Sequence, residues 1–195
     1  MLKIVTKGPP QRKRKPNLGL AIFIIGLFLV GAALILFLPA PQEKTLDNSG
    51  YSPPPATASY AAPQLALTSL DGDPVSLDDY HGKVVLVNNW ATWCPPCKAE
   101  MPELQHYYTT HASDGFVVVA IESGEPASTV SSFVLDQKLT FPVWLDLHGA
   151  AVEAFKNWDL PSSYGIDRDG IVRMSWTGPI NQATLEKYIT PLLEK

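Results

Sequence analysis

Cysteine is scarce in this chain of 195 residues, because Cys94 and Cys97 are the only two and lie together in the segment 93–97, WCPPC. Two cysteines cannot complete a zinc site of four ligands, and none of the four histidines lies at metal-ligand spacing from them. Lys98 follows Cys97 where c-type haem attachment requires histidine. We therefore expect no metal and no haem.

The two cysteines lie between a strand pattern and a helix pattern. Residues 84–87 form a continuous apolar run, typical of a buried strand. Pro95 and Pro96 fit a helix only in its first turn, so we expect Cys94 at the helix N-cap. Unpaired N–H groups and the helix dipole there lower a thiol pKa from about 8.5 towards roughly 3.5–7.5. The sequence predicts that Cys94 is a nucleophile.

Cys97 lies one helical turn after Cys94, on the same face. It can close a disulfide with Cys94 or resolve a mixed disulfide formed there. A purely structural disulfide is the alternative, but so short a loop gives little entropic stabilisation. We therefore expect the disulfide itself to be the redox-active group, without a bound cofactor.

Acidic residues are absent from residues 1–17, which carry six Lys and Arg, and residues 18–38 carry no charge at all. As a helix the uncharged run reaches about 31 Å, enough for a hydrocarbon core of about 30 Å. We predict a single-pass anchor in the cell membrane, with a cytoplasmic basic tail and an extracytoplasmic remainder. A cleaved signal peptide is the alternative, although Pro41 after Ala40 should hinder cleavage.

Basic residues are outnumbered beyond residue 17, where nine Lys and Arg stand against 19 Asp and Glu and leave a net charge near −10. Such a surface does not suit a nucleic acid partner. Residues 39–62 are rich in proline and predict an extended linker. Residues 63–195 are long enough for one domain with its own core.

Strand and helix patterns alternate along residues 63–195. A hairpin is expected around Asp71-Gly72 and another around residues 168–170. Further strands are predicted at 83–89, 116–121 and 141–145, and helices at 94–111, 127–137, 150–158 and 182–193. This order predicts an α/β fold with parallel core strands, whose carboxyl ends gather the reactive groups.

Residues 85–97, VLVNNWATWCPPC, and the following KAEMPEL resemble the membrane-anchored thioredoxin-like family of TlpA and ResA type. Residues 160–170, LPSSYGIDRDG, are similar to a second motif of that family. The resemblance implies a thioredoxin fold, a central mixed β-sheet flanked by helices, with an N-terminal β-hairpin and an insertion at 129–146. It also implies a monomer that reduces disulfides of client proteins, including apocytochromes c, with electrons from a membrane thiol donor.

The resemblance also assigns residues that contact the substrate. It implies that Pro161 is a cis-proline beside the dithiol and that the backbone of Leu160 pairs with a bound substrate segment. Trp93 should be exposed and contact clients. We also expect Pro95 and Pro96 to contact the substrate.

Glu100 is the candidate for proton transfer, because release of a mixed disulfide requires Cys97 as a thiolate. It lies one turn beyond Cys97. ResA-like proteins place an acid-base glutamate at the matching position. Asn88 occupies the site of the buried aspartate of thioredoxin, and an amide cannot take a proton. Alternatively, Glu100 only complements the helix dipole.

Several residues depart from the family pattern, namely Asn89, Lys156-Asn157 and Gly165. Glycine at 165 indicates either a close backbone approach or room for Trp158 or Trp176. Both interpretations remain open.

Three other functions remain as alternatives. A thiol peroxidase of peroxiredoxin type would need an upstream proline that is missing before Thr92. A copper-delivery module of related fold would need three residues between its cysteines, although His148 is available. A non-catalytic scaffold would not need the WCPPC segment at all. The direction of exchange is open too, because potentials of such pairs run from about −270 to about −120 mV.

Overall fold

The computed structural model of the protein describes residues 52–195. The predicted basic tail and membrane anchor lie outside the described residues. Within residues 52–195, no helix is both long enough and apolar enough to cross a bilayer.

An eight-stranded mixed sheet forms the centre of the molecule, in the order β1-β8-β7-β4-β5-β6-β2-β3. The strands are β1 Ala56–Ala61, β2 Ala66–Ser69, β3 Pro74–Ser76, β4 Val84–Trp90, β5 Phe116–Glu122, β6 Val143–Leu145, β7 Ser162–Ile166 and β8 Ile171–Thr177. The helices are α1 Pro95–His111, α2 Ala127–Gln137, α3 Ala150–Phe155, α4 Gln182–Tyr188 and α5 Thr190–Leu193. Short 3-10 turns occupy Leu77–Tyr80 and Ala112–Asp114.

Strands β4 and β5 run parallel at the middle of the sheet, and every residue of both is buried. Their side chains alternate between two cores, since successive residues of a strand point to opposite faces. Leu86 and Val118 join the core beneath α1, α2 and α4, whereas Val87 and Val119 join the core that α3 covers. Burial on both faces explains why these strands appear as continuous apolar runs.

The first strand, β1, lies inside the range expected to be linker, so the folded part begins before residue 63. Strand β1 is an edge strand of the sheet and pairs antiparallel with β8, and five of its six residues are exposed. Backbone pairing rather than apolar burial holds this strand, which is why a search for apolar periodicity misses it. The predicted hairpin at Asp71-Gly72 is confirmed, and its strand β2 pairs with β6 at the opposite side of the sheet.

The C-terminal helix, expected as one element over 182–193, is two helices that meet at Ile189. Pro191 has no N–H to continue the hydrogen-bond ladder of α4, so the chain restarts as α5. Leu185, Ile189 and Leu192 are buried as predicted. Helix α3 is also shorter than expected, because Lys156 takes the left-handed conformation that ends it.

Gly165 in β7 leaves room for two side chains of neighbouring elements. A Cβ atom at this position would lie 2.9 Å from Ile189 Cδ1 and 2.9 Å from Met174 Cγ. The space that the missing side chain leaves therefore belongs to Ile189 and Met174, and not to Trp158 or Trp176.

Candidate active site

The two cysteines lie where the central strand β4 passes into helix α1. Cys94 is the N-cap of α1, as predicted, and Pro95 and Pro96 occupy its first positions. Neither proline has an N–H group, so Cys97 supplies the first helical donor. The Cys97 N–H donates to Cys94 Sγ at 3.3 Å. A sulfur that accepts a backbone hydrogen bond at a helix N-terminus is in a position that stabilises a thiolate.

Cys94 and Cys97 form a disulfide, with an S–S distance of 2.05 Å. Cys97 has no exposed surface, whereas Cys94 is 3% exposed and is flanked by the exposed Trp93, Pro95 and Pro96. An incoming molecule therefore meets the disulfide from the side of Cys94.

The Leu160–Pro161 peptide bond is cis, as the resemblance implied. Strand β7 begins directly after it, and Ser162 lies opposite Asn89 near the end of β4. The sheet thus brings Pro161 to the same edge as the loop that carries Cys94. Leu160 and Trp93 line one groove at this edge. Pairing of the Leu160 backbone with a substrate segment stays a prediction.

Glu100 is buried on α1, one turn beyond Cys97, at 2% exposure. Its Oε1 accepts a hydrogen bond from Asn88 Nδ2 at 2.8 Å, and its Oε2 accepts one from the Ile180 N–H at 2.9 Å. Burial raises the pKa of Glu100 to about 8, although both hydrogen bonds favour the charged form. Such burial does not fit an acid that merely complements a helix dipole at the surface.

Asn88 connects Glu100 to strand β7, because its Nδ2 also donates to Ser163 Oγ at 2.9 Å. Its Oδ1 is buried and has no hydrogen-bond partner among the described residues. An amide turned by 180° would place Oδ1 where it can accept from a protonated Glu100 and from the Ser163 hydroxyl. Asn88 can therefore support both protonation states of Glu100.

A second pair of acids, Glu122 and Glu125, holds the loop before Cys94. The Glu125 carboxylate accepts hydrogen bonds from the Thr92 N–H at 2.7 Å and from the Thr92 hydroxyl at 2.6 Å. The Glu125 N–H in turn donates to both carboxylate oxygens of Glu122, at 3.0 and 3.2 Å. We call these two residues the glutamate clamp.

The members of the glutamate clamp titrate differently. Burial, together with the nearby Glu125 and Asp146, raises the pKa of Glu122 to about 7. Partial burial of Glu125 is outweighed by the Thr92 hydrogen bonds, which lower its pKa. Sequence reasoning missed this pair, although acids at the carboxyl end of the strand beside β4 were a usable signal.

The groove at this edge has a volume of about 280 Å³. Trp93 and Leu160, which the sequence assigned to client contacts, line this groove, and so do Leu147, Val152 and Trp158, which sequence reasoning did not connect with the site. These three residues come from a loop, a short helix and a second loop, so no periodic pattern connects them. Among residues 52–195, no group of three or more His, Cys, Asp or Glu side chains could hold a metal ion.

Comparison with known proteins gives matches over most of the chain. The AhpC/TSA family model matches residues 58–175. Thiol-disulfide oxidoreductase ResA of Geobacillus kaustophilus is 33% identical over 158 residues, which cover 80% of this chain and 91% of the relative. Thiol-disulfide oxidoreductase ResA of Oceanobacillus iheyensis is 31% identical over 180 residues, which cover 92% of this chain and 93% of the relative.

A solved structure with the same architecture is the thiol:disulfide interchange protein of the thioredoxin family from Chlorobium tepidum TLS. Its TM-score is 0.64 at 30% identity, over 71% of this chain and 99% of that chain. The described residues thus form a thioredoxin-like α/β fold, with Cys94 and Cys97 at the start of its first long helix. Sequence, fold and cysteine pair agree, and the chain belongs to the TlpA/ResA-type thioredoxin-like family of thiol-disulfide oxidoreductases.

Proposed function

We propose that this protein is a membrane-anchored, extracytoplasmic reductase of disulfides in client proteins. The observation that carries the proposal is the Cys94–Cys97 disulfide, in which Cys94 Sγ accepts the Cys97 N–H at the start of α1. This arrangement provides an attacking sulfur that is slightly exposed and a resolving sulfur that is fully buried.

The reaction has two exchange steps. In the reduced protein, the Cys94 thiolate attacks one sulfur of the client disulfide, so that a Cys94–client bond forms and the client disulfide breaks. Cys97 then attacks the Cys94 sulfur, which forms the protein disulfide and releases the second client thiol. The client gains two electrons and two protons, and the protein loses them. A membrane thiol donor restores the dithiol by the same exchange.

Glu100 handles the proton of Cys97 in the second step. Cys97 is fully buried, so its proton cannot pass directly to bulk water. The Glu100 carboxyl lies one turn away and has a pKa of about 8 because of its burial, which is close to that of a thiol. Asn88 keeps this carboxyl hydrogen-bonded in either protonation state. Glu100 therefore takes the proton as Cys97 attacks and returns it when the dithiol is restored.

Residues 18–38 anchor the protein, and the basic residues before them keep the N-terminus in the cytoplasm. The catalytic domain then works as a monomer outside the cytoplasm, and apocytochromes c before haem attachment are among its clients. Because the chain has two cysteines only, a membrane-impermeant maleimide tests this orientation directly. We expect labelling of the reduced protein in cells with an intact cytoplasmic membrane. Labelling only after lysis would contradict the extracytoplasmic position of the catalytic domain.

The direction of exchange is tested by the potential of the Cys94–Cys97 pair in a glutathione buffer. Pro96 offers no N–H to a Cys94 thiolate, which favours a reducing pair, and we expect a potential nearer about −270 than about −120 mV. Cys97→Ser should accumulate the mixed disulfide with insulin, whereas Cys94→Ser should form none. A potential near the oxidising end would reverse the proposed direction.

The same preparations test the alternative functions. The reduced protein should reduce insulin with dithiothreitol as the electron source. Peroxide consumption that exceeds insulin reduction would instead favour a thiol peroxidase, and copper binding by the reduced pair would favour a copper-delivery module.

A further inference from the structure

Exposed large apolar side chains collect at one place on the molecule. Five are exposed among residues 52–195, and three of them surround the groove beside the disulfide: Trp158 at 73%, Trp93 at 65% and Leu147 at 57%. Scattered single apolar side chains are normal on protein surfaces, but a cluster marks a site of interaction. We call this cavity the Trp158 groove.

The apolar side chains of the Trp158 groove come from four places in the chain. Leu147 follows β6, Val152 belongs to α3, Trp158 and Leu160 precede Pro161, and Trp93 precedes Cys94. Val152 is buried and Leu160 packs against the core. These two side chains therefore form the bottom of the groove, between the exposed apolar side chains. A volume of about 280 Å³ lies just below the roughly 300–1,000 Å³ of sites for drug-sized ligands. This size suits one or two side chains of a peptide.

The carboxylate in the lining of the Trp158 groove already accepts hydrogen bonds from the protein. Asp146 is the only charged residue in its lining, and it is 2% exposed. Its Oδ1 accepts from the Ala150 N–H at 2.9 Å, and its Oδ2 accepts from the Ala151 N–H at 2.7 Å. The carboxylate therefore caps α3 and is not offered to a ligand. The groove suits a neutral apolar group better than a cation.

The Trp158 groove is continuous with the site of exchange, because Trp93 is both part of its wall and the neighbour of Cys94. A client whose sulfur bonds to Cys94 therefore lies beside Trp93, at one wall of the groove. We propose that the Trp158 groove binds a bulky apolar side chain that lies within a few residues of the client cysteine attacked by Cys94. This inference rests on the proposed function and names the class of client segment.

The test uses the reduced full chain in lipid nanodiscs and short peptides closed by an internal disulfide. The peptides carry either Phe or Ser at each position within three residues of the reactive cysteine. Because burial of a Phe side chain is favourable, the Phe peptide should be reduced about tenfold faster or more at one or two positions. Equal rate constants for Phe and Ser at every position would overturn the proposal.

Two variants of the groove and one control separate recognition from a general effect. In Trp158→Ala and in Leu147→Ser, the preference for Phe should fall to about twofold or less. Leu135→Ala removes an equally exposed apolar side chain from α2, outside the groove, and should keep the full preference. A preference that survives both groove variants, or a loss of rate that is equal for Phe and Ser peptides, would overturn the proposal.

Oxidised glutathione distinguishes failure of this inference from failure of the proposed function. If the wild-type protein does not exchange with glutathione at all, the proposed function fails. If it exchanges with glutathione but does not discriminate between the peptides, only the groove proposal fails. Amine cross-linking of the full chain in lipid vesicles tests whether a second copy of the chain occupies the groove instead of a client. A dimer that Trp158→Ala abolishes would assign the groove to a second copy and overturn the proposal.

Discussion

Glu100 combines deep burial with hydrogen bonds to both of its carboxylate oxygens. Because burial raises its pKa to about 8, close to that of a thiol, the Glu100 carboxylate can take the proton that Cys97 must lose, and this basic form becomes more abundant as pH rises. Glu100→Gln keeps the shape of the side chain but cannot exchange a proton with Cys97. We expect resolution of the mixed disulfide to slow by about 10²-fold or more, and its pH profile to lose the inflection near pH 8. Rapid-quench trapping of the mixed disulfide across pH 5–9 measures both.

The matched control is Glu194→Gln, which neutralises an exposed acid at the end of the chain. It should leave the pH profile as in the wild type. An unchanged profile in Glu100→Gln would remove the proton role of Glu100, even if the overall rate fell.

The same carboxyls link stability to pH. Burial raises the pKa of Glu100 to about 8 and, with help from neighbouring acids, that of Glu122 to about 7. Between about pH 4.5 and 8 the folded state therefore binds more protons than the unfolded state, so stability falls as pH rises. Denaturant unfolding of the wild type should show this decline, and Glu100→Gln and Glu122→Gln should each flatten part of it. A stability that increases over this window would contradict both assignments.

The loop between β4 and α1 is held in place by an acid from a different element. Two hydrogen bonds join Glu125 to Thr92, and Glu122 fixes Glu125 in turn. Glu125→Ala should cost about 1–3 kcal/mol of stability, speed amide exchange at Thr92 and shift the Cys94–Cys97 potential. Glu125→Gln can still accept the N–H bond and should recover part of each effect. An unchanged potential in Glu125→Ala would show that the glutamate clamp stabilises the loop without positioning Cys94.

Strand β7 and the C-terminal helices fit together through the missing side chain of Gly165. In Gly165→Ala, the new Cβ would lie 2.9 Å from Ile189 Cδ1 and from Met174 Cγ, which forces both side chains to move. Overpacking of this kind costs about 1–3 kcal/mol. Met174→Ala should destabilise the wild type but partly rescue Gly165→Ala, because the two changes share one space. Thermal unfolding of the four proteins gives the coupling, and strict additivity would contradict the proposed contact.

Elements with strong local signals could be predicted from the sequence. The apolar runs of β4 and β5, and the prolines that fix the start of α1, act within a few residues, and the structure confirms them. Strand β1 could not be predicted, because it depends on pairing with β8, far away in sequence. The break at Ile189 had a local signal in Pro191, but the apolar spacing across it favoured one helix.

At the scale of the whole molecule, the positions of the dithiol and of Glu100 were predictable from the sequence, whereas their surroundings were not. Cys94, Cys97 and Glu100 lie within one short segment, so spacing and resemblance identify them. The glutamate clamp and the Trp158 groove exist only where strands and loops from separate parts of the sequence meet. The hydrogen bond from Thr92 to Glu125 and the wall formed by Trp158 and Trp93 require the folded sheet.

Strand β1 also determines where the chain enters the domain. Ala56 lies opposite Ser175, near the end of β8, and that end of β8 pairs with the start of β7 directly after Pro161. The entry point therefore shares one rim of the sheet with Cys94. A client that docks at Cys94 therefore approaches the domain from the same side at which the chain enters it.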